Sequence, residues 1–191
     1  MAGKQAKILT DEQILRLLSF VSTQRHPLRN RVIALLSIRA GLRAGEIAKL
    51  EWSMVLDPSG AIAPVIELRD HAAKKGSGRL IPVHPDLRDA LGRWREASGN
   101  MGPVIRSERG GAMTPVSVCN FFAIAYRAIG LVGCSSHSGR RTFITRAARL
   151  VHKAGGSLRD VQLLAGHRSI AVTQGYIDGD SDAQRRLVSL I

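Results

Sequence analysis

The chain has 191 residues, 45% hydrophobic and 23% charged, which is one domain's worth of sequence and excludes a disordered or coiled-coil chain. Its 28 Lys and Arg against 15 Asp and Glu leave a net charge of +13, and 22 of those cations are arginine. The planar guanidinium suits bidentate phosphate recognition, so the excess points to a polyanionic partner, nucleic acid first and an anionic membrane surface second.

In chain order, residues 11–22 read as an amphipathic helix capped by Thr10 or Asp11, with Ile14, Leu17, Leu18 and Val21 on one face. Residues 28–40 read as a more buried helix stopped by Gly41. A short third helix runs from Glu46 to Leu50. The texture then changes. Val65–Leu68 and Arg79–Val83 are strand-like runs joined by the polar turn Lys74–Gly78, and a strand near Trp52 to Leu56 completes an expected three-stranded antiparallel sheet. Helical patterns resume at about 86–97, 115–129, 138–153, 157–165, 169–176 and 181–190, with Pro115, Ser157, Ser169 and Ser181 at N-terminal positions. The Gly-rich stretch 99–113, carrying Arg106 and Arg109, is expected to be the mobile surface loop. The expected architecture is mainly α (α+β), with one small sheet inserted early.

Two cysteines, Cys119 and Cys134, lack CxxC or Cys/His ligand spacing and are expected to be reduced. There is no 18-residue apolar run, and the amino end lacks the apolar stretch of a signal peptide, so a cytoplasmic protein is expected. No carboxylate cluster of a metal-dependent nuclease, no GxxxxGK[ST], no GxSxG and no HExxH occurs.

What remains is a set of cations, histidines and one late tyrosine. Arg43 opens the third helix between Gly41 and Gly45, which let backbone and guanidinium approach a bulky anion. His137 and Arg140 form an HxxR pair about one helical turn apart. The helix they open has a core-like opposite face of Phe143, Ala147, Leu150 and Val151. A second HxxR, His26 with Arg29, precedes a proline in a polar connection and reads as surface. His167 follows Gly166 at a helix end, and Tyr176 lies nine residues later; the other tyrosine, Tyr126, reads as core.

In this order, Ala40–Gly41–Leu42–Arg43, Glu46, Ile47 and Leu50, the Lys74 turn, His137 and Arg140, Leu163–His167 and Tyr176 resemble the catalytic domain of the tyrosine recombinase (phage integrase) family over residues 10 to 178. The resemblance implies site-specific DNA strand exchange through a covalent 3′-phosphotyrosyl intermediate, with double-stranded DNA as partner and neither metal nor ATP nor a small-molecule cofactor. It implies Tyr176 as nucleophile, Arg43 and Arg140 on the non-bridging oxygens, and His137 assisting proton transfer with Tyr176. His167 would donate to a phosphate oxygen, and Lys74 would protonate the departing 5′ oxygen. Lys75 is the alternative lysine. Lys75, Arg79, Arg141 and Arg168 are expected to face DNA.

Gly139 stands where the family usually has leucine and Arg141 where histidine is frequent, and the interval from Arg140 to His167 is lengthened near 152–156. The family's separate amino-terminal DNA-clamping domain is expected to be absent. The tail 181–191 is expected either to pack on its own domain or, as in the family, on a neighbouring protomer of a tetramer on DNA. A bacterial or phage, nucleoid-associated location is implied. The competing readings are a recombinase-like DNA-binding accessory or regulatory factor with little turnover, and a basic RNA-associated protein.

Overall fold

The computed structural model describes residues 6–74 and 76–176, with 185, 188, 189 and 191. Eight α-helices and one two-stranded sheet make up the regular structure of those residues. The first helix, α1 (Asp11–Ser22), starts where Thr10 accepts from the Gln13 backbone N–H while the Gln13 side chain accepts from the Thr10 N–H. It turns Ile14, Leu17 and Val21 onto α2 (Pro27–Arg39).

Helix α2 is the structural centre. Every residue from Val32 to Ile38 is buried, because α1, α4 (Pro85–Ser98) and α6 (Ser138–Leu150) pack around it. A helix apolar on nearly all sides is stable only when enclosed in this way. It ends at Gly41, where φ is 65° and Leu42 N–H donates to the Leu36 carbonyl at 3.0 Å. A Cβ here would be strained by that φ and would also stand 2.4 Å from Phe143.

At its crossing with α6, Gly139 is the point of closest approach: a Cβ would lie 2.4 Å from Ser37 Oγ and 3.0 Å from its Cβ. The departure from leucine at position 139 therefore has a steric cause. Any larger side chain would push α6 away from α2.

Strands β1 (Val65–Leu68) and β2 (Arg79–Pro82) pair antiparallel with Ile66 opposite Ile81 and Leu68 opposite Arg79. The expected third strand does not form. Trp52–Met54 is a 3₁₀ turn, and Leu56 makes only an isolated bridge to Ile62. Trp52, Met54 and Val55 are all buried, which a strand's alternation of faces cannot provide but a tight turn can.

The stretch 99–113 is half anchored. Val104 and Ile105 are fully buried, and Val104 N–H donates to the Leu50 carbonyl at 2.8 Å, so the exposed parts are residues 99–102 and the tip 108–112.

Helix α5 (Pro115–Ala128) follows a Thr114 cap and buries Tyr126 beneath the main core, as expected. Cys119 and Cys134 are free thiols. A second, smaller cluster joins Ile144, Ala148 and Val151 to Val161 and Ala165 of α7 (Leu158–Ala165). The expected apolar face of α6 is only partly realised. Leu150 is exposed, whereas the buried positions include Ser138, Arg140, Thr142 and Thr145, because the inner face of this helix builds a polar site.

The lengthened interval before His167 holds a 3₁₀ turn, Val151–Ala154, ending at Gly155. Helix α8 (Ile170–Gln174) then starts where Ser169 accepts from the Ala171 N–H. Lys75 and most of the tail helix expected over 181–190 lie outside the described residues. Among the described residues no helix is long and apolar enough to cross a membrane.

Candidate active site

The site grows from one buried carboxylate. Arg43 occupies the N-cap of α3 (Ala44–Ala48), and its backbone N–H donates to Glu46 Oε2 at 2.9 Å while its guanidinium reaches Oε1 at 2.7 Å. On the other side Arg79, the first residue of β2, forks onto both oxygens at 3.2 and 3.0 Å. Its Nε donates to the Leu164 carbonyl at 2.8 Å.

Glu46 is 1% exposed and Arg79 5%. Burial alone would raise the Glu46 carboxyl, but the hydrogen bonds and charge of Arg79, with those of Arg43, outweigh it and hold the group at about 2. The two arginines thus share one anion, and α3, β2 and the end of α7 are tied together. This counts against the expectation that Arg79 faces DNA: its guanidinium is enclosed, and three of its N–H groups are bonded inside the protein.

Arg140 enters from α6 and is 3% exposed. It donates to the Gly41 carbonyl at 2.5 Å, the Ala165 carbonyl at 2.6 Å and His167 Nε2 at 3.2 Å. Its pKa is lowered by burial first and then by the charge of Arg43. Three guanidinium charges around a single carboxylate leave a local excess of two positive charges, with Arg79 and Arg140 largely buried and the third, Arg43, opening onto two hollows. An anion is what such a centre lacks.

His167 follows the left-handed cap Gly166 at the end of α7, with its backbone held at both ends by Gln162. Its Nδ1 lies 2.9 Å from Thr173 Oγ1, and its ring stacks on Tyr176 at 5.4 Å and 26°. Burial first, then Arg140, Arg43 and Arg79, lower its pKa from 6.5 to about 4, so the ring is neutral at pH 7.

Tyr176 is half-buried one turn beyond Thr173, donating its N–H to the Thr173 carbonyl at 3.0 Å. Its backbone carbonyl accepts from Thr145 at 3.4 Å.

The remaining groups line three hollows. His137, Arg140, Arg141 and Tyr176 border one cleft of about 420 Å³. Arg43, Lys74 and His137 border a second of about 350 Å³. Arg43, Lys74, His167 and Arg168 border a third of about 180 Å³.

His137 and Lys74 are exposed, His137 as the N-cap of α6 and Lys74 in the turn after β1, where Ser77 grips its carbonyl at 2.8 Å. Arg141 is half-buried, and its Nε is enclosed without a hydrogen-bond partner. Arg168 is exposed.

The six residues expected to act on a phosphate thus line three hollows, with His137 common to the first two and Arg43 and Lys74 to the last two. The second HxxR pair is elsewhere: His26 meets Glu108 at 2.9 Å and Arg29 donates to the Arg106 carbonyl at 3.1 Å, on the surface as expected.

Two site residues had no role assigned from the sequence. Glu46 stood inside the quoted motif, three residues after Arg43, and its being the sole carboxylate there was the available signal. Thr173 carried none. Among the described residues no group of three or more His, Cys, Asp or Glu gathers as a metal site would.

A model of the phage integrase family matches residues 7–182. The tyrosine recombinase XerC of Xanthomonas campestris pv. campestris (strain B100) is 29% identical over 176 residues, covering 91% of this chain and 51% of the relative. That of Erythrobacter litoralis is 29% identical over 192 residues, covering 97% of this chain and 58% of the relative. The chain thus spans about half the length of the curated relatives it matches.

Among solved structures, the Tn1549 transposon integrase in complex with transposon right end DNA superposes with a TM-score of 0.77 at 20% identity, over 100% of this chain and 67% of that one. XerA recombinase gives 0.74 at 20% identity, over 100% and 65%. A lambda integrase dimer bound to a COC′ core site gives 0.72 at 21% identity, over 93% and 49%.

Proposed function

The chain belongs to the phage integrase family, and from that premise we propose that it cleaves and rejoins DNA at specific sites through Tyr176. The observation that carries this reading is the position of His167, bonded to Arg140 on one edge and stacked on Tyr176. One phosphate drawn to the guanidinium pair would sit beside the phenol.

In the proposed reaction the Tyr176 oxygen attacks the scissile phosphorus. The phenol gives up its proton as the P–O bond forms, with His137 receiving it, since a free phenol titrates near 10 and is a poor nucleophile while protonated. Arg43 and Arg140 bind the non-bridging oxygens and stabilise the charge of the pentavalent transition state. Both are already fixed, one by Glu46 and the other by two backbone carbonyls, so little reorganisation remains at the moment of reaction.

The bond from phosphorus to the 5′ oxygen then breaks, and Lys74 supplies the proton that this oxygen takes. Its place on an exposed turn facing Arg43 across a shared hollow is compatible with a swing onto that oxygen. Religation is the reverse. Arg141 and Arg168, bordering the same hollows, are assigned to DNA backbone contacts, and Lys75 stands beside Lys74 as an alternative donor. The partner in this reading is double-stranded DNA. The working assembly is a tetramer on DNA joined through the tail 181–191.

The test is a nicked suicide substrate followed by denaturing electrophoresis. Wild-type protein is expected to form a covalent adduct and Tyr176→Phe none. Adduct persisting in the phenylalanine variant would move the nucleophile elsewhere.

A further inference from the structure

Arginine has no hydrogen-bond acceptor, so the 3.2 Å contact between Arg140 and His167 Nε2 requires a lone pair on that nitrogen. The ring proton of the neutral imidazole is then on Nδ1, and it donates to Thr173 Oγ1 at 2.9 Å. Thr173 is fully buried on α8, and its own carbonyl holds the Tyr176 N–H. One hydroxyl therefore links the histidine to the helix that carries the tyrosine.

In this state His167 cannot donate to a phosphate oxygen, because its outward nitrogen is an acceptor. The charged groups that face the ring are mainly cationic: Arg140 from α6, Arg43 before α3, Arg79 from β2, and Lys74 and Arg168 across the small hollow; the Tyr176 phenol stacks on the ring, and the Glu46 carboxylate is held by Arg43 and Arg79. Asp160, at the far end of α7, is occupied in capping Ser157 at 2.7 Å. The ring is therefore held neutral by neighbours whose charge an incoming phosphate anion would partly offset.

We propose that Thr173 is a positioning residue of the reaction: it keeps the proton of neutral His167 on Nδ1, so that phosphate binding draws a second proton from solvent onto Nε2 and converts the ring from acceptor to donor. The threonine oxygen accepts from Nδ1–H in both states and holds the ring, while the Arg140 N–H that Nε2 accepts in the free chain passes to the phosphate oxygen as Nε2 is protonated. Without that acceptor, a buried N–H would be left unpaired, or the proton would move to Nε2 and confront the Arg140 N–H. The inference rests on the phosphate chemistry proposed above for the same site.

The test is ¹⁵N NMR of the full chain labelled at histidine, with His167→Gln to assign the resonance. The free chain at pH 7 is expected to show a protonated Nδ1 and an unprotonated Nε2 at His167. Adding inorganic phosphate at constant pH is expected to shift both nitrogens towards the imidazolium values. Thr173→Ser should preserve this behaviour, whereas Thr173→Val should mix the tautomers and weaken the response to phosphate.

In single-turnover cleavage, Thr173→Val is expected to slow adduct formation by about 10²-fold and displace its pH profile, with Thr173→Ser restoring both. A free ring protonated on Nε2, or one indifferent to phosphate, overturns the proposal even if adduct forms. The expected NMR behaviour with no adduct from any substrate overturns instead the assignment of DNA cleavage. If the valine variant fails to fold, the wild-type and serine spectra still decide.

Discussion

Replacing Glu46 by Gln removes the single negative charge between two enclosed guanidinium groups while keeping the side chain's shape. In the wild-type protein the carboxyl lies at about 2 against an ordinary 4.5. At roughly 1.4 kcal/mol for each unit of pKa, that difference contributes about 3 kcal/mol to stability at neutral pH. Breaking a buried ion pair by removing one partner costs about 3–5 kcal/mol, which agrees.

Because the folded pKa is depressed, this contribution is complete above about pH 4.5. It is lost as pH falls through about 2, where folded and unfolded carboxyls are both protonated. Urea unfolding at pH 7 should therefore show Glu46→Gln less stable by about 3 kcal/mol with an unchanged denaturant slope, equivalent to a midpoint lower by about 6–12 °C. Between pH 4.5 and 2.5 the gap between variant and wild type should close. A variant within about 1 kcal/mol of wild type at pH 7, or a gap independent of pH, would refute the role given to Glu46.

Gly139→Ala should cost about 1–3 kcal/mol by forcing α6 off Ser37, and calorimetry of the double variant with Ser37→Ala should recover part of it. That hydroxyl is buried without a partner, so Ser37→Ala alone is expected to be neutral or stabilising. Binding of duplex DNA should weaken steeply between low and moderate salt, with log Kobs linear in log salt concentration; a binding constant insensitive to salt contradicts the phosphate-centred reading. Deleting residues 181–191 should impair tetramer assembly on DNA more than single-site binding, as gel-shift titrations would resolve, and an equal loss of both argues for a tail that packs on its own domain.

The chemistry of this chain is written in its linear order. An arginine between glycines, an HxxR pair, a histidine after a helix-ending glycine and a late tyrosine are each local signals, and helix caps such as Thr10, Ser157 and Ser169 are legible for the same reason. Periodicity and capping depend on neighbours a few residues apart, so most helices are found within a residue or two.

The third strand was misread because Trp52, Met54 and Val55 are drawn inward together by packing that neighbouring residues do not reveal. The apolar face assigned to α6 failed likewise. Hydrophobicity cannot announce a helix side that buries Arg140 and two threonines around a charged centre.

Which arginine can meet a ligand and which props up another was also beyond the linear pattern. Arg79 looks like any basic strand residue until the fold brings Glu46 across 33 positions and the Leu164 carbonyl across 85. The proton on His167 was decided in the same way, by an arginine 27 residues before it and a threonine six residues after. Residue types and their order specify which groups are available. Only the close crossing of α2 and α6 and the enclosure of Glu46 determine what each group holds, because charge and hydrogen bonding gain their strength from the water that folding excludes.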